Sequence, residues 1–274
     1  MCAPGCIEHV HQAVSRRGLF KGAAAAVATI GGAVSAAEPA EARLFPRFQR
    51  AVDLTHTLSP EFPTFFGVPG IAMKKVKDFR SDGYNVNEWT VLEHAGTHID
   101  APIHFAASGA GPAEIPVDQL VVPLAVIDVS TKARGNPDYQ LSPADIAVWE
   151  KRHGRLPRGA CVALYSGWEA HIGTERFAGK DEKGAFHFPG FHPETTAMLL
   201  EGRSIAGLAV DTLSLDHGPS TDFKTHTTWL PAGRWGLENV AGLGRLPSEG
   251  ATLVVAAPKV KGASGGPTRV FALV

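Results

Sequence analysis

The sequence predicts a mixed α/β fold in one domain, preceded by a cleavable targeting segment. Three observations predict it. Eight short runs carry β-branched or alternating apolar residues, the mark of strands. Two segments carry clear helix start signals, and strands outnumber helices without strict alternation, which disfavours a doubly wound parallel sheet. The 274 residues are 44% hydrophobic and 19% charged, enough for a sizeable core, while 30 Gly and 20 Pro are spread along the chain as tight connections. The formal charge is −1 and no basic stripe appears, so nucleic-acid binding has no support.

The elements follow in order. Ser15-Arg16-Arg17-Gly18-Leu19-Phe20-Lys21 is a twin-arginine pattern, followed by a weakly apolar Ala/Gly run from Gly22 to Val34 and by small residues at Ser35-Ala36-Ala37. Basic, apolar and small-residue regions in that order make a bacterial export signal, with cleavage expected after Ala36 or Ala37. The apolar run is too short for the roughly 30 Å hydrocarbon core, so no stable membrane span is expected after cleavage. The expected destination is the periplasm or the medium. Cys2 and Cys6 leave with the signal, and Cys161 remains alone in an apolar run that reads as a buried strand.

Strands are expected over 51–57, 71–76, 86–93, 121–129, 160–166, 204–210, 251–257 and 268–274. Ser142-Pro143-Ala144-Asp145 places a cap, a first-turn Pro and an acid ahead of Ile146 and Trp149, and Gly154 is a plausible stop. A second helix is expected from Pro193 to Gly202, and a third, shorter one near Leu237. No internal repeat appears, and 38–274 reads as a single domain.

The chemistry concentrates at Glu93-His94-Ala95-Gly96-Thr97-His98-Ile99-Asp100-Ala101-Pro102-Ile103-His104-Phe105. Imidazole nitrogen with carboxylate oxygen suits Zn²⁺ or Mn²⁺. On a regular helix Asp100 would point away from His94, so the segment must turn, with Gly96 and Pro102 as punctuation. A second set lies at His226-Thr227-Thr228-Trp229 and Gly236-Leu237-Glu238-Asn239, where His226 and Glu238 offer one nitrogen and one carboxylate. Asp211 and Asp216 read as groups that orient backbone and neighbouring side chains. Ser166 lacks the Gly-x-Ser-x-Gly elbow of a serine nucleophile. Phe65, Phe66 and Trp89 are candidate wall residues of an aromatic substrate pocket, against an alternative role in the core.

The run His94-x-Gly96-Thr97-His98-x-Asp100-x-Pro102-x-His104-Phe105 resembles the signature of the cyclase family of metal-dependent hydrolases, which includes kynurenine formamidase and isatin hydrolase. Asp53-Leu54-Thr55-His56-Thr57-Leu58-Ser59 resembles the family's opening strand, and Gly207 to Asp216 its later strand and turn. The resemblance implies a mixed-sheet swivelling β/β/α domain, often dimeric or tetrameric. It implies that His94, His98 and Asp100 hold one divalent cation, and that Asp100 bridges to a second held by His226 and Glu238. His104 is then the general acid/base. Hydrolysis of a C–N bond in a small amide, arylformamide or lactam is the expected reaction. The alternatives are a lyase or ring-closing activity, and an exported non-catalytic protein that binds metal or solute; retention of His104 beside the ligands speaks against the last.

Overall fold

The computed structural model describes residues 48–274, so the twin-arginine segment and its cleavage site lie outside the described residues. Among the described residues thirteen strands occur in chain order: β1 (Ala51–Asp53), β2 (Ile71–Lys77), β3 (Val86–Val91), β4 (His98–Asp100), β5 (Val121–Asp128), β6 (Gln140–Leu141), β7 (Cys161–Tyr165), β8 (Gly190–Phe191), β9 (Gly207–Val210), β10 (Trp235–Glu238), β11 (Ala251–Ala256), β12 (Gly265–Pro267) and β13 (Arg269–Leu273). The α-helices among the described residues are α1 (Phe79–Asp82), α2 (Ser130–Gly135), α3 (Pro143–His153), α4 (Glu175–Ala178), α5 (Pro193–Gly202) and α6 (Lys224–Trp229).

Nine strands form one mixed sheet in the order β1-β13-β11-β5-β7-β9-β10-β4-β12. The central steps β5-β7, β7-β9 and β9-β10 are parallel and the flanks antiparallel. Parallel strands are buried on both faces, which explains why β7 reads as an unbroken apolar run. Period-2 alternation divides them between two cores. Leu124, Val126, Cys161, Ala163 and Ala209 join one cluster, with Leu54 near one sheet edge and Ile99 near the other. Residues from both ends share this cluster because the sheet curls. Thr55 bridges to Val240, and the Ala241 N–H donates to the Leu54 carbonyl. On the opposite face Ile127, Val162, Leu164, Leu208 and Val210 pack with Ile146 and Trp149 of α3, Leu199 of α5 and Trp229 of α6.

The helix signals act as expected. Asp145 accepts hydrogen bonds from both the backbone N–H and the hydroxyl of Ser142 at 2.8 Å, and the Glu194 N–H donates to His192 Nδ1 ahead of α5. The helix expected near Leu237 is a correction: Leu237 sits in β10, paired with Ala209 on one side and Ile99 on the other, with all four strand residues buried. A helix there would break the sheet between β9 and β4, since β10 is the strand that joins them. The nearby helix is α6, upstream. Strands β4 and β12 were not expected, being three residues each and too short to show a period.

Strands β2 and β3 form a separate two-stranded sheet in which every residue of β3 is exposed. Trp89 lies opposite Met73, 65% and 59% exposed respectively. Among the described residues no helix is long and apolar enough to cross a membrane.

Candidate metal centre

The chain leaves β3 and enters a tight loop, Glu93–Thr97, before β4. Gly96 makes the turn at φ 64°, and a side chain there would press on Leu58. His98 and Asp100 are two apart on a strand, so they share one face of β4 while Ile99 points into the core. The antiparallel partner is β10, in which Glu238 stands directly opposite His98. One pleat therefore holds His98, Asp100 and Glu238 on a rigid support. Pro102 opens a short 3₁₀ turn that carries His104.

His226 arrives from α6, anchored to β10 because the Trp229 indole N–H donates to the Trp235 carbonyl at 2.8 Å. Thus the five residues predicted as ligands, and His104, converge. His98 Nε2 lies 3.3 Å from both Asp100 Oδ1 and Glu238 Oε2. His226 Nε2 lies 3.4 Å from Asp100 Oδ2 and 3.0 Å from Glu238 Oε1. His94 Nδ1 lies 2.6 Å from Asp100 Oδ1. Ligand-type atoms of His94, Asp100 and His104 fall within 4.8 Å of one another, as do those of His98, Asp100 and Glu238. Asp100 is common to both groups.

Each of these three imidazoles has its other nitrogen engaged from behind. His98 Nδ1 donates to the Gly96 carbonyl at 2.9 Å. His226 Nδ1 donates to Asp216 Oδ2 at 2.5 Å, and Asp216 also accepts from the Thr225 and His226 backbone N–H groups. His94 Nε2 donates to the Ser264 hydroxyl at 3.0 Å, and that hydroxyl donates in turn to Glu93. Gly265 is required beside it, since a Cβ there would lie 2.6 Å from His94 Cε1 and 2.4 Å from the Ile99 carbonyl oxygen. The consequence is chemical. With these donors committed outward, the inward nitrogens of neutral rings present lone pairs to Asp100 and Glu238, lone pair against anion. His98 Nε2 and Asp100 Oδ2 are buried without a hydrogen-bond partner.

Such a cluster needs positive charge. Without a metal, protons must supply it. Burial opposes charging of His98, but Asp100 and Glu238 outweigh burial and push it up to about 10. His226 is raised well above the usual imidazole range, against burial, by Asp100, Asp216 and Glu238. Asp100 is held well below the carboxylate range, against burial, by His98, His226 and His94. A divalent cation answers the same demand, and imidazole nitrogens with carboxylate oxygens are a fitting donor set. His104 differs. Burial pushes it down to about 4 despite the pull of Asp100, and it stacks on His94 at 3.8 Å between ring centroids.

The cluster floors a cavity of about 680 Å³, mouth included, walled by Phe65, Phe66, Phe105, Leu213 and Phe223. Its apolar lining above a polar floor fits a small organic molecule. Phe66 lines it. Trp89 does not; it stands out on the β2–β3 hairpin. Asp211 takes the orienting role expected of it, accepting from the Ser166 hydroxyl and from the Ser166 and Trp168 backbone N–H groups. Ser166 is thereby occupied and buried. Sequence reasoning missed Ser264, 170 residues from His94 and inside a Gly-rich loop with no local signal. It also missed Phe105 and Phe223 as wall residues, although Phe105 closes the sequence run that flagged the site.

Comparison with known proteins finds one family and a shared fold. A family model described as "Putative cyclase" matches residues 52–217. The isatin hydrolase of Roseibium aggregatum is 32% identical over 251 residues, covering 85% of this chain and 95% of that protein. The kynurenine formamidase of Salinibacter ruber is 24% identical over 221 residues, covering 80% and 94%. The solved structure of isatin hydrolase A from Ralstonia solanacearum superposes with a TM-score of 0.77 at 35% identity, covering 82% of this chain and 92% of that one.

Proposed function

The chain belongs to the cyclase family of metal-dependent hydrolases, and from that premise we propose that it hydrolyses a C–N bond in a small aromatic amide, with an arylformamide or a lactam as the substrate class. The observation that carries the reading is the pairing of an aromatic-walled cavity with a floor where inward nitrogen lone pairs meet two buried carboxylates. The names of the relatives, isatin hydrolase and kynurenine formamidase, support the amide class.

His94, His98, Asp100, His226 and Glu238 would hold the divalent cation, Zn²⁺ or Mn²⁺, with Asp100 central to the set because it lies within 3.4 Å of His94, His98 and His226. When bound, the cation supplies Lewis acidity toward a carbonyl and toward water, whose pKa falls to about 7 in zinc enzymes. The phenylalanine walls orient a flat substrate and exclude water. His104, stacked on His94 at the floor of the cavity, accepts the proton of the attacking water and returns it to the departing nitrogen. One water is consumed, the C–N bond breaks, and acid and amine result. A panel of isatin, formylkynurenine and simple lactams with added Zn²⁺ or Mn²⁺ tests the reading. Turnover of at least one is expected; silence across the panel with tightly held metal would refute it.

Two further parts of the proposal concern the whole molecule. The chain is exported by the twin-arginine route, supported by Ser15 to Lys21 and the small residues after Val34. N-terminal sequencing of exported protein should begin after Ala36 or Ala37. The chain also works as a homo-oligomer, supported by the bare β2–β3 hairpin. A lone two-stranded sheet is marginal in water, and Met73, Val76, Val86 and Trp89 are all exposed on it. Light scattering should give a multiple of the chain mass, and Trp89→Glu should lower it.

A further inference from the structure

Gly96 lies in the loop between β3 and β4, where no strand ladder fixes the direction of its carbonyl. That oxygen nevertheless accepts two hydrogen bonds, from His98 Nδ1 at 2.9 Å and from Asn239 Nδ2 at 3.0 Å. Asn239 follows Glu238 at the end of β10 and is only 3% exposed. Its backbone takes the left-handed conformation, φ 54°, which Asn tolerates better than most residues. Its N–H donates to the Thr212 carbonyl, and its own carbonyl accepts from the Thr97 hydroxyl at 2.5 Å. The residue is thus pinned through its backbone, and its side chain is free to serve one purpose.

That purpose is visible in what the side chain forgoes. Asn239 Oδ1 is buried with no hydrogen-bond partner, an arrangement that destabilises the fold. The reverse orientation of the amide would set two oxygens against each other at Gly96. A carboxamide kept here with an orphan acceptor is kept for its donor.

We propose that Asn239 is the positioning residue for His98: its amide fixes the Gly96 carbonyl, which fixes the His98 ring with Nε2 facing Asp100 and Glu238. The inference rests on the metal reading above. Asn239 borders the cavity, and its amide acts on the cation site through the Gly96 carbonyl: it sets the readiness of one nitrogen to bind. The loop that carries His94 and His98 is thereby tied to the strand that carries Glu238, so the two halves of the cation site keep register.

The test uses the full mature chain and two substitutions. Asn239→Gly keeps the left-handed backbone and removes the amide. Asn239→Asp keeps the shape and the backbone bonds and removes the donor. Zn²⁺ affinity is read by competition with a chromophoric chelator, and site geometry by the visible absorption of the Co²⁺-loaded protein. Both variants are expected to bind Zn²⁺ about 10- to 100-fold more weakly than wild type, with an altered Co²⁺ spectrum and a metal-free fold intact by circular dichroism. Affinity and spectrum equal to wild type in Asn239→Gly would overturn the proposal alone. Loss of the folded state in both variants would also overturn it, making Asn239 a fold residue. A wild-type chain that binds neither Zn²⁺ nor Co²⁺ would overturn the metal reading and this proposal with it.

Discussion

Asp216→Asn changes one atom behind His226 and should weaken the metal site without changing its shape. Asp216 Oδ1 accepts from the Thr225 N–H at 2.7 Å, while Oδ2 accepts from His226 Nδ1 at 2.5 Å and from the His226 N–H at 3.2 Å. An asparagine that keeps its oxygen on Thr225 turns its amide N–H toward Nδ1. Donor then faces donor, and the ring relieves the clash by moving its proton to Nε2. That proton lands 3.0 Å from Glu238 Oε1 and 3.4 Å from Asp100 Oδ2, where a lone pair is needed. Loss of such an outer carboxylate costs about 10- to 100-fold in metal affinity, or about 1.4–2.8 kcal/mol. Chelator competition with Zn²⁺ measures it directly. Asp138→Asn is the control: it removes the same kind of contact from His187, at 2.9 Å, on the surface and away from the cluster. Zn²⁺ affinity of Asp216→Asn within about twofold of wild type, a free-energy change of under about 0.5 kcal/mol, would refute the reasoning.

Three other outcomes follow from the same geometry. His104→Ala should keep its metal and lose roughly 10²- to 10⁴-fold in turnover; loss of metal instead would make His104 a ligand. Phe65→Ala removes a ring that stacks on Phe186 at 4.6 Å and walls the cavity, and should raise KM about 10-fold with a smaller effect on kcat. Acid unfolding should sense Asp145. Burial works against its ionisation, but Lys132, Ser142 and Tyr139 hold its carboxyl below its ordinary 3.8. A carboxyl depressed by folding stabilises above that value and loses its contribution as pH falls through the folded pKa. Asp145→Asn should therefore lower the thermal midpoint at pH 7 and flatten its fall below pH 4 (measured by circular dichroism), whereas an unchanged slope would contradict the assignment.

Much of the site was legible because its ligands crowd into one short segment. His94, His98, Asp100 and His104 announce themselves by residue type, and Gly96 and Pro102 announce the turn. The physical reason they converge was hidden. His98 and Asp100 share a face only because His98-Ile99-Asp100 is a strand, and three residues cannot display a period. The same limit hid β12. At Leu237 a short apolar run between two longer elements is ambiguous between helix and strand, and tertiary pairing with Ala209 and Ile99 decides for strand. His226 and Glu238 drew their weight from family resemblance, since nothing local says that α6 folds over β10. Ser264 and Asn239 act through hydrogen bonds across 170 and 143 positions of sequence, which no window along the chain can reveal. Trp89 misled because an aromatic in a strand near a ligand run looks like a pocket wall, whereas its strand belongs to the outlying hairpin.

The central claim is that one cluster sharing Asp100 holds the divalent cation. Elemental analysis of the purified mature chain after Zn²⁺ or Mn²⁺ loading and dialysis tests it most directly, beside Asp100→Ala handled identically. Wild type should retain the cation stoichiometrically and Asp100→Ala should retain none, because Asp100 is the carboxylate within reach of His94, His98 and His226 alike. A wild type that emerges free of metal, or an Asp100→Ala chain that keeps its full complement, would contradict the account.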